Sequence, residues 1–152
     1  MIILGIFFMM LITIRKIGAA LVAMLPIIIT IVTILGMLSI TKFHLNILTA
    51  NMSAIAIGVG VDYAIHLISG IYYFRKLGLG NVESVDSALT SLSRPILANA
   101  LGLAVGLSIL YLSPLRVHMQ VASVMWVAMI VSALGALFLI PLFYSRVKKE
   151  YN

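Results

Sequence analysis

The sequence contains no cysteine and very little charge of either sign. None of its 152 residues is Cys, and Asp, Glu, Lys and Arg together account for 9% of them. Without a thiol, the chain cannot form disulfides, use a catalytic cysteine or bind zinc through sulfur. Soluble domains carry about 25% charged residues, and disordered chains are also rich in charge. The low charge therefore excludes both of these classes.

Apolar residues take the place of the missing charge. They make up 63% of the chain, and the mean hydropathy is +1.22. A soluble protein of this size cannot hide so large a fraction from water, so the composition predicts an integral membrane protein. The hydrocarbon core of a bilayer is about 30 Å thick, and a helix needs roughly 20 apolar residues to cross it. We therefore expect an all-α fold.

Five apolar runs predict a five-helix polytopic bundle, in a single transmembrane domain that covers residues 1–152. The runs cover about 1–14, 17–41, 46–74, 95–115 and 119–145. The first run is too short to span a bilayer comfortably. We expect from this that the chain starts inside a helix of a larger protein.

The connection between the third and fourth runs predicts a further, shorter helix. Gly78 and Gly80 are expected to end the preceding helix, and Asn81 is a favourable N-cap residue. Apolar residues then follow at i, i+3, i+4 and i+7: Val85, Ala88, Leu89 and Leu92. This pattern predicts an amphipathic helix over about 81–93 that lies along the cytoplasmic membrane surface. A solvated helical linker is the alternative.

The ten basic residues are divided unequally between the two ends of the predicted spans. Lys42 and Arg116 lie in connections on one side. Eight others flank the opposite side: Arg15, Lys16, Arg75, Lys76, Arg94, Arg146, Lys148 and Lys149. Because cytoplasmic connections carry the excess of Lys and Arg, we predict a multi-pass protein of the plasma or inner membrane, with its N-terminus outside and its C-terminus in the cytoplasm. The sequence has no basic stripe with interleaved aromatic residues, so we predict no nucleic-acid partner.

Asp62 lies near the middle of the third run, and a carboxylate at that depth costs a few kcal/mol unless it is paired, hydrated or protonated. Gly58, Asp62, His66 and Ser69 follow at spacings of four, four and three, so they share one helix face. This face offers a carboxylate, an imidazole and a hydroxyl one turn apart, which predicts a proton relay. A structural contact between helices is the alternative for Asp62, and a hydrogen bond to a backbone carbonyl is the alternative for His66.

Four glycines predict close helix packing. Gly58 and Gly60 remove side chains beside Asp62, so that a neighbouring helix can approach. Gly102 and Gly106 form a GxxxG pair that is expected to pack against the Gly58 face, although this pattern is common in membrane helices. Asn99 lies on the same side as this pair, where it either reaches a polar partner or is purely structural.

The sequence offers no signs of an enzyme. Gly58-Val59-Gly60 lacks the third glycine of a dinucleotide fingerprint, since Tyr63 stands at that position. No P-loop, no Ser-His-Asp arrangement and no metal-ligand spacing of His residues occurs. We therefore predict no catalytic residues, no cofactor and no bound metal.

The segment from Gly58 to Leu67, with the sequence Gly-Val-Gly-Val-Asp-Tyr-Ala-Ile-His-Leu, resembles the fourth helix of the resistance–nodulation–division (RND) superfamily. The closest branch is that of the mycobacterial-membrane-protein-large (MMPL) exporters, which are related to sterol-sensing and Patched-like domains. In that family the fourth of six helices per half carries G-x-x-x-D-[YF] with a proton-relay Asp. Gly58 and Asp62 match this motif, and Tyr63 matches an aromatic residue that contacts the Asp of the other half. The resemblance thus implies a relay role for Asp62 and Tyr63. Together with His66 on the shared helix face, we predict a relay of Asp62, Tyr63 and His66.

The resemblance covers essentially the whole chain and implies that the five runs are helices two to six of a C-terminal half. The first helix, an extracytoplasmic domain and the other half are then missing. We expect a fragment, a split half, or a chain that assembles with a complementary half or as a homo-oligomer. The implied function is proton-driven export of lipid-like or amphipathic substrates in the lipid bilayer. The alternatives are a sterol-sensing-like lipid-binding or regulatory module, a protein-export accessory subunit, against which Tyr63 and Ile65 argue, and a non-functional remnant.

Overall fold

The computed structural model describes residues 5, 6, 8, 10–12, 17–42 and 47–146. These residues form four long helices: α1 (Ile17–Thr41), α2 (Ile47–Lys76), α3 (Asn81–Leu107) and α4 (Arg116–Arg146). A 3-10 segment, Ser108–Leu112, joins the last two. Residues 5, 6, 8 and 10–12 are also helical. The rest of the first predicted run, and the basic residues of the tail at 148 and 149, lie outside the described residues.

The predicted all-α membrane bundle is confirmed. Four stretches are long and apolar enough to cross a membrane: Ile17–Thr41, Ser53–Lys76, Asn81–Leu112 and Arg116–Tyr144. Helices α1, α2 and α4 agree with the second, third and fifth predicted runs to within a few residues, because uninterrupted apolar sequence has few alternatives to a helix inside a bilayer. The chain is therefore a multi-pass membrane protein.

Helix α3 is continuous through Pro95, where the sequence predicted two separate helices. The amphipathic helix over 81–93 and the first part of the span over 95–115 form one continuous helix, Asn81–Leu107, that passes through this proline. Pro removes one backbone hydrogen bond, but the buried row of α3 continues on both sides of it. This row includes Ser84, Ala88, Ile96, Ala100 and Ala104. Tertiary packing along the whole row outweighs the local cost.

The turn between α2 and α3 depends on two glycines. Gly78 has φ of +91°, a left-handed conformation that favours glycine and ends α2. Gly80 precedes α3 as its N-cap residue, so the predicted N-cap, Asn81, is instead the first residue of the helix. The backbone N–H of Gly80 donates to the Glu83 carboxylate at 3.2 Å. An acidic side chain in this first turn also complements the helix dipole.

Helix α4 packs against each of the other three helices. Its contact with α1 is close at Gly135, where an added Cβ would lie 3.2 Å from the Cβ of Pro26. At the far end, Tyr144 donates a hydrogen bond to the hydroxyl of Tyr72 on α2 at 3.2 Å. The core of the bundle therefore lies around α4, and α2 is attached to it along much of its length.

Candidate functional site

Asp62 lies deep within helix α2 on a face that the rest of the described chain leaves uncovered. Gly58, Asp62, His66 and Ser69 are all exposed, so the four residues share one open face. At a rise of 1.5 Å per residue, Asp62 lies about 14 Å from Ser53 and about 21 Å from Lys76 along the helix axis. Since these two residues bound the apolar span, the carboxylate lies at membrane depth.

The polar groups of this face have no partners within the described part of the chain. Neither Asp62 nor His66 forms a hydrogen bond or an ion pair there, although the two side chains are one turn apart. The described residues also contain no group of three or more potential metal ligands. An exposed carboxylate and imidazole cannot face hydrocarbon without a cost of a few kcal/mol. The open face therefore needs protein or water against it.

The opposite face of α2 is held firmly by α4. A Cβ added at Gly60 would lie only 2.9 Å from the Cβ of Ser132, so the two helices approach closely there. Tyr63 is 2% exposed, and its hydroxyl donates to the sulfur of Met129 at 3.8 Å. Because successive helix residues are about 100° apart, this packing turns the neighbouring Asp62 outward.

The predicted relay residues are thus only partly brought together. Asp62 and His66 share the open face, whereas Tyr63 points into the core of the bundle. Two residues that position this site, Met129 and Ser132, were not recognised from the sequence. A signal for Ser132 was present, since Ala128, Ser132 and Ala136 form a row of small residues at spacings of four on α4, which is typical of closely packed membrane helices.

The predicted packing of Gly102 and Gly106 against the Gly58 face is wrong within the described residues. A Cβ at any of these three positions would meet no atom within 4 Å. Helix α3 instead meets α2 at the other end, where a Cβ on Gly70 would collide with Leu92. Asn99, Gly102 and Gly106 therefore lie on an exposed face of α3. Of the four glycines, only Gly60 makes a close approach to another helix among the described residues.

Comparison with known proteins identifies the family of this chain. Residues 1–147 match the model of the MMPL family. The chain is 38% identical over 90 residues to the probable transport protein MmpL12 of Mycobacterium tuberculosis, which is 59% of this chain and 8% of that protein. It is 29% identical over 90 residues to the sulfolipid-1 exporter MmpL8 of the same organism, again 59% of this chain and 8% of the relative.

A third relative comes from an archaeon. The membrane protein MJ1562 of Methanocaldococcus jannaschii is 26% identical over 111 residues, which is 73% of this chain and 29% of that protein. The chain thus spans less than a third of the length of each of these relatives. No solved structure matches it significantly. The family match covers nearly all of the sequence, including the Asp62 helix, and this multi-pass membrane protein therefore belongs to the MMPL family.

Proposed function

We propose that this chain is the transmembrane part of one half of a proton-driven exporter of lipid-like or amphipathic molecules, in which Asp62 carries the coupling proton. The observation that carries the proposal is the open face of α2, with a carboxylate and an imidazole at membrane depth and no partner for either among the described residues. Relatives that are named transport proteins, one of them a sulfolipid-1 exporter, support the transport class. We propose transport rather than catalysis.

Protonation of Asp62 would change which surroundings the open face tolerates. The ionised carboxylate requires water or a polar partner, whereas the neutral acid can pack against apolar surface at much lower cost. The two protonation states therefore favour different arrangements of α2 against whatever covers it. His66, one turn away on the same face, is placed to pass the proton toward the Lys76 end of the helix. The charge distribution of the sequence favours this as the cytoplasmic end.

A second protein surface completes the site in this proposal. The faces with Gly58, Asp62 and His66 on α2 and with Gly102 and Gly106 on α3 are rich in small and polar residues, and small residues allow helices to approach closely in a membrane. A complementary transporter half is the partner we propose, and a second copy of this chain is the alternative.

Cysteine cross-linking tests whether protein covers this face. The chain has no native Cys, so single substitutions report on one position each. We expect Gly58→Cys and Ser69→Cys to give cross-linked products on mild oxidation in membranes that hold the assembled protein, with a matching cysteine in the partner. An adduct of twice the mass identifies a second copy, and another mass identifies a complementary half.

The matched control is Val32→Cys, at an apolar position of α1 whose side chain is 63% exposed. It should give no cross-link and should react with a lipid-soluble maleimide. If Gly58→Cys and Ser69→Cys behave like this control, the Asp62 face meets lipid and the proposed interface is wrong.

Tyr63→Phe separates packing from proton transfer. The Tyr63 hydroxyl contacts Met129 inside the bundle and does not reach the open face, so we expect this variant to retain coupled transport. Loss of one neutral hydrogen bond should lower the free energy of unfolding by only about 0.5–1.5 kcal/mol. Thermal unfolding in detergent measures the change in stability, and a transport assay on the same preparation measures coupled transport. A loss of transport as complete as that of an Asp62 variant would show that the hydroxyl belongs to the relay.

A further inference from the structure

A long apolar groove runs between α3 and α4. Its volume is about 550 Å³, and its lining includes Val85, Leu89, Ser93 and Leu97 on α3 with Phe138 and Pro141 on α4. Ser93 is the one polar residue of this lining. The volume falls within the range of about 300–1,000 Å³ that is typical of small-molecule sites. Both helices belong to stretches that are long and apolar enough to cross a membrane, so we expect the groove to open toward the bilayer.

The length of the groove matches one leaflet. From Val85 to Leu97 the axis of α3 rises about 18 Å, at 1.5 Å per residue. One leaflet contributes about half of the roughly 30 Å hydrocarbon core. The groove begins at the end of the bundle where α2 ends and α3 starts. An extended acyl chain from the leaflet at that end would fill it from its mouth to its inner limit.

A basic side chain, Arg75, lies near the end of α2, at the end of the bundle where this groove begins. The Arg75 guanidinium is 5.2 Å from the centre of the Tyr144 ring and 5.7 Å from the centre of the Tyr72 ring. Tyr144 follows the groove residue Pro141 by three positions and so lies on a neighbouring face of α4. The two rings, which contact each other edge to face, hold the guanidinium at this end of the bundle by cation–π attraction.

This arginine is held in place but not neutralised. No carboxylate pairs with Arg75 among the described residues, and its buried Nε has no hydrogen-bond partner. Lys76 follows it directly. Asp86, one residue beyond Val85, is exposed and would repel an anion on the α3 side of the mouth. Arg94 on α3 is also exposed, but it lies about 14 Å along the helix axis from Val85. At the end where the groove begins, the favourable place for a negative group is therefore the α2 and α4 side, at Arg75.

We propose that the groove and Arg75 together form a binding site for one anionic phospholipid, with an acyl chain between α3 and α4 and the phosphate at the guanidinium. An apolar channel of one leaflet's length accounts for the tail, and an oriented cation without a carboxylate accounts for the headgroup. The site is on a different surface from Asp62 and does not depend on the proposed transport function.

Photo-cross-linking of the full chain in lipid nanodiscs tests the site. The probe is phosphatidylglycerol with a diazirine on its acyl chain, in a background of phosphatidylethanolamine. We expect the adducts to map mainly to the groove residues of α3 and α4, and excess unlabelled phosphatidylglycerol to remove them more effectively than excess phosphatidylethanolamine. Leu89→Trp, which fills the groove, should abolish these adducts, whereas Leu101→Trp, at an exposed position of α3 outside the lining, should not.

The headgroup contact is tested separately. Arg75→Gln should reduce the preference for phosphatidylglycerol over phosphatidylethanolamine about fivefold, the effect expected for one basic residue near an anionic lipid surface. Lys76→Gln, the adjacent basic residue, should change it by less than about twofold.

Several results would overturn the proposal. Equal effects of the Arg75 and Lys76 variants would show non-specific attraction of anionic lipid. Adducts spread evenly over the exposed face of α1 would show ordinary annular lipid. Cross-links between two copies of the chain through α3 and α4 would show that protein occupies the groove instead.

Discussion

Asp62→Asn should abolish proton-coupled export while the protein still inserts into the membrane. The amide keeps the size and polarity of the carboxylate but cannot take up or release a proton. In the assembled exporter we expect transport of a fluorescent phospholipid probe under an imposed pH gradient to fall to background. Membrane insertion and yield should be unchanged, because Asp62 forms no hydrogen bond or ion pair with the described residues of this chain.

Asp86→Asn is the matched control for this variant. It is the same chemical change at an exposed acidic residue, but it lies in the first turns of α3 and not within the open face of α2. This control should transport the probe at close to the rate of the unmodified protein. Retained, gradient-dependent transport in Asp62→Asn would contradict the relay. It would favour a lipid-binding module, which has no need of a titratable group at this depth.

Gly60→Val should strongly destabilise the bundle, whereas Gly58→Val should not. A Cβ at Gly60 would lie 2.9 Å from the Cβ of Ser132, and a Cβ at Gly58 would meet nothing within 4 Å. Overpacking of a filled interior typically costs about 1–3 kcal/mol, and here the contact is with the Cβ of Ser132, which is bonded directly to the α4 backbone and has little room to adjust. Thermal or denaturant unfolding of the purified chain in detergent measures the difference.

The two glycines are a closely matched pair, because they lie two residues apart on the same helix and receive the same side chain. The intrinsic helix propensity of valine therefore cancels in the comparison. Equal destabilisation by both variants would show that the close approach of α2 and α4 at Ser132 is not what fixes the rotation of α2. Asp62 would then have to be held outward by something else.

The parts of the fold that follow from hydrophobic length were predictable from the sequence. Runs of 25 or more apolar residues, such as the one that forms Ile17–Thr41, allow only a helix in hydrocarbon. The continuity of α3 was not predictable in this way, because local rules favour a break at Pro95. The buried row that runs from Ser84 to Ala104 exists only once α3 is packed, so no local pattern reports its energy.

The candidate site, too, was predictable in one respect and not in another. The spacing of Gly58, Asp62 and His66 predicted one shared face, and the structure has that face. Whether the face points into the bundle or away from it depends on which side of α2 meets α4. The close contact at Gly60 with Ser132 decides this, and it involves residues 72 positions apart in the sequence. The same contact places Tyr63 in the core, which its position beside Asp62 could not reveal.

Proton movement through the assembled exporter is the measurement that tests the role of Asp62 most directly. Vesicles that contain the exporter and an internal pH-sensitive dye would be supplied with the lipid probe under a pH gradient. We expect probe-dependent proton flux in the unmodified protein and in Asp86→Asn, and none above that of protein-free vesicles in Asp62→Asn. Equal probe-dependent flux with and without the Asp62 carboxylate would contradict the account.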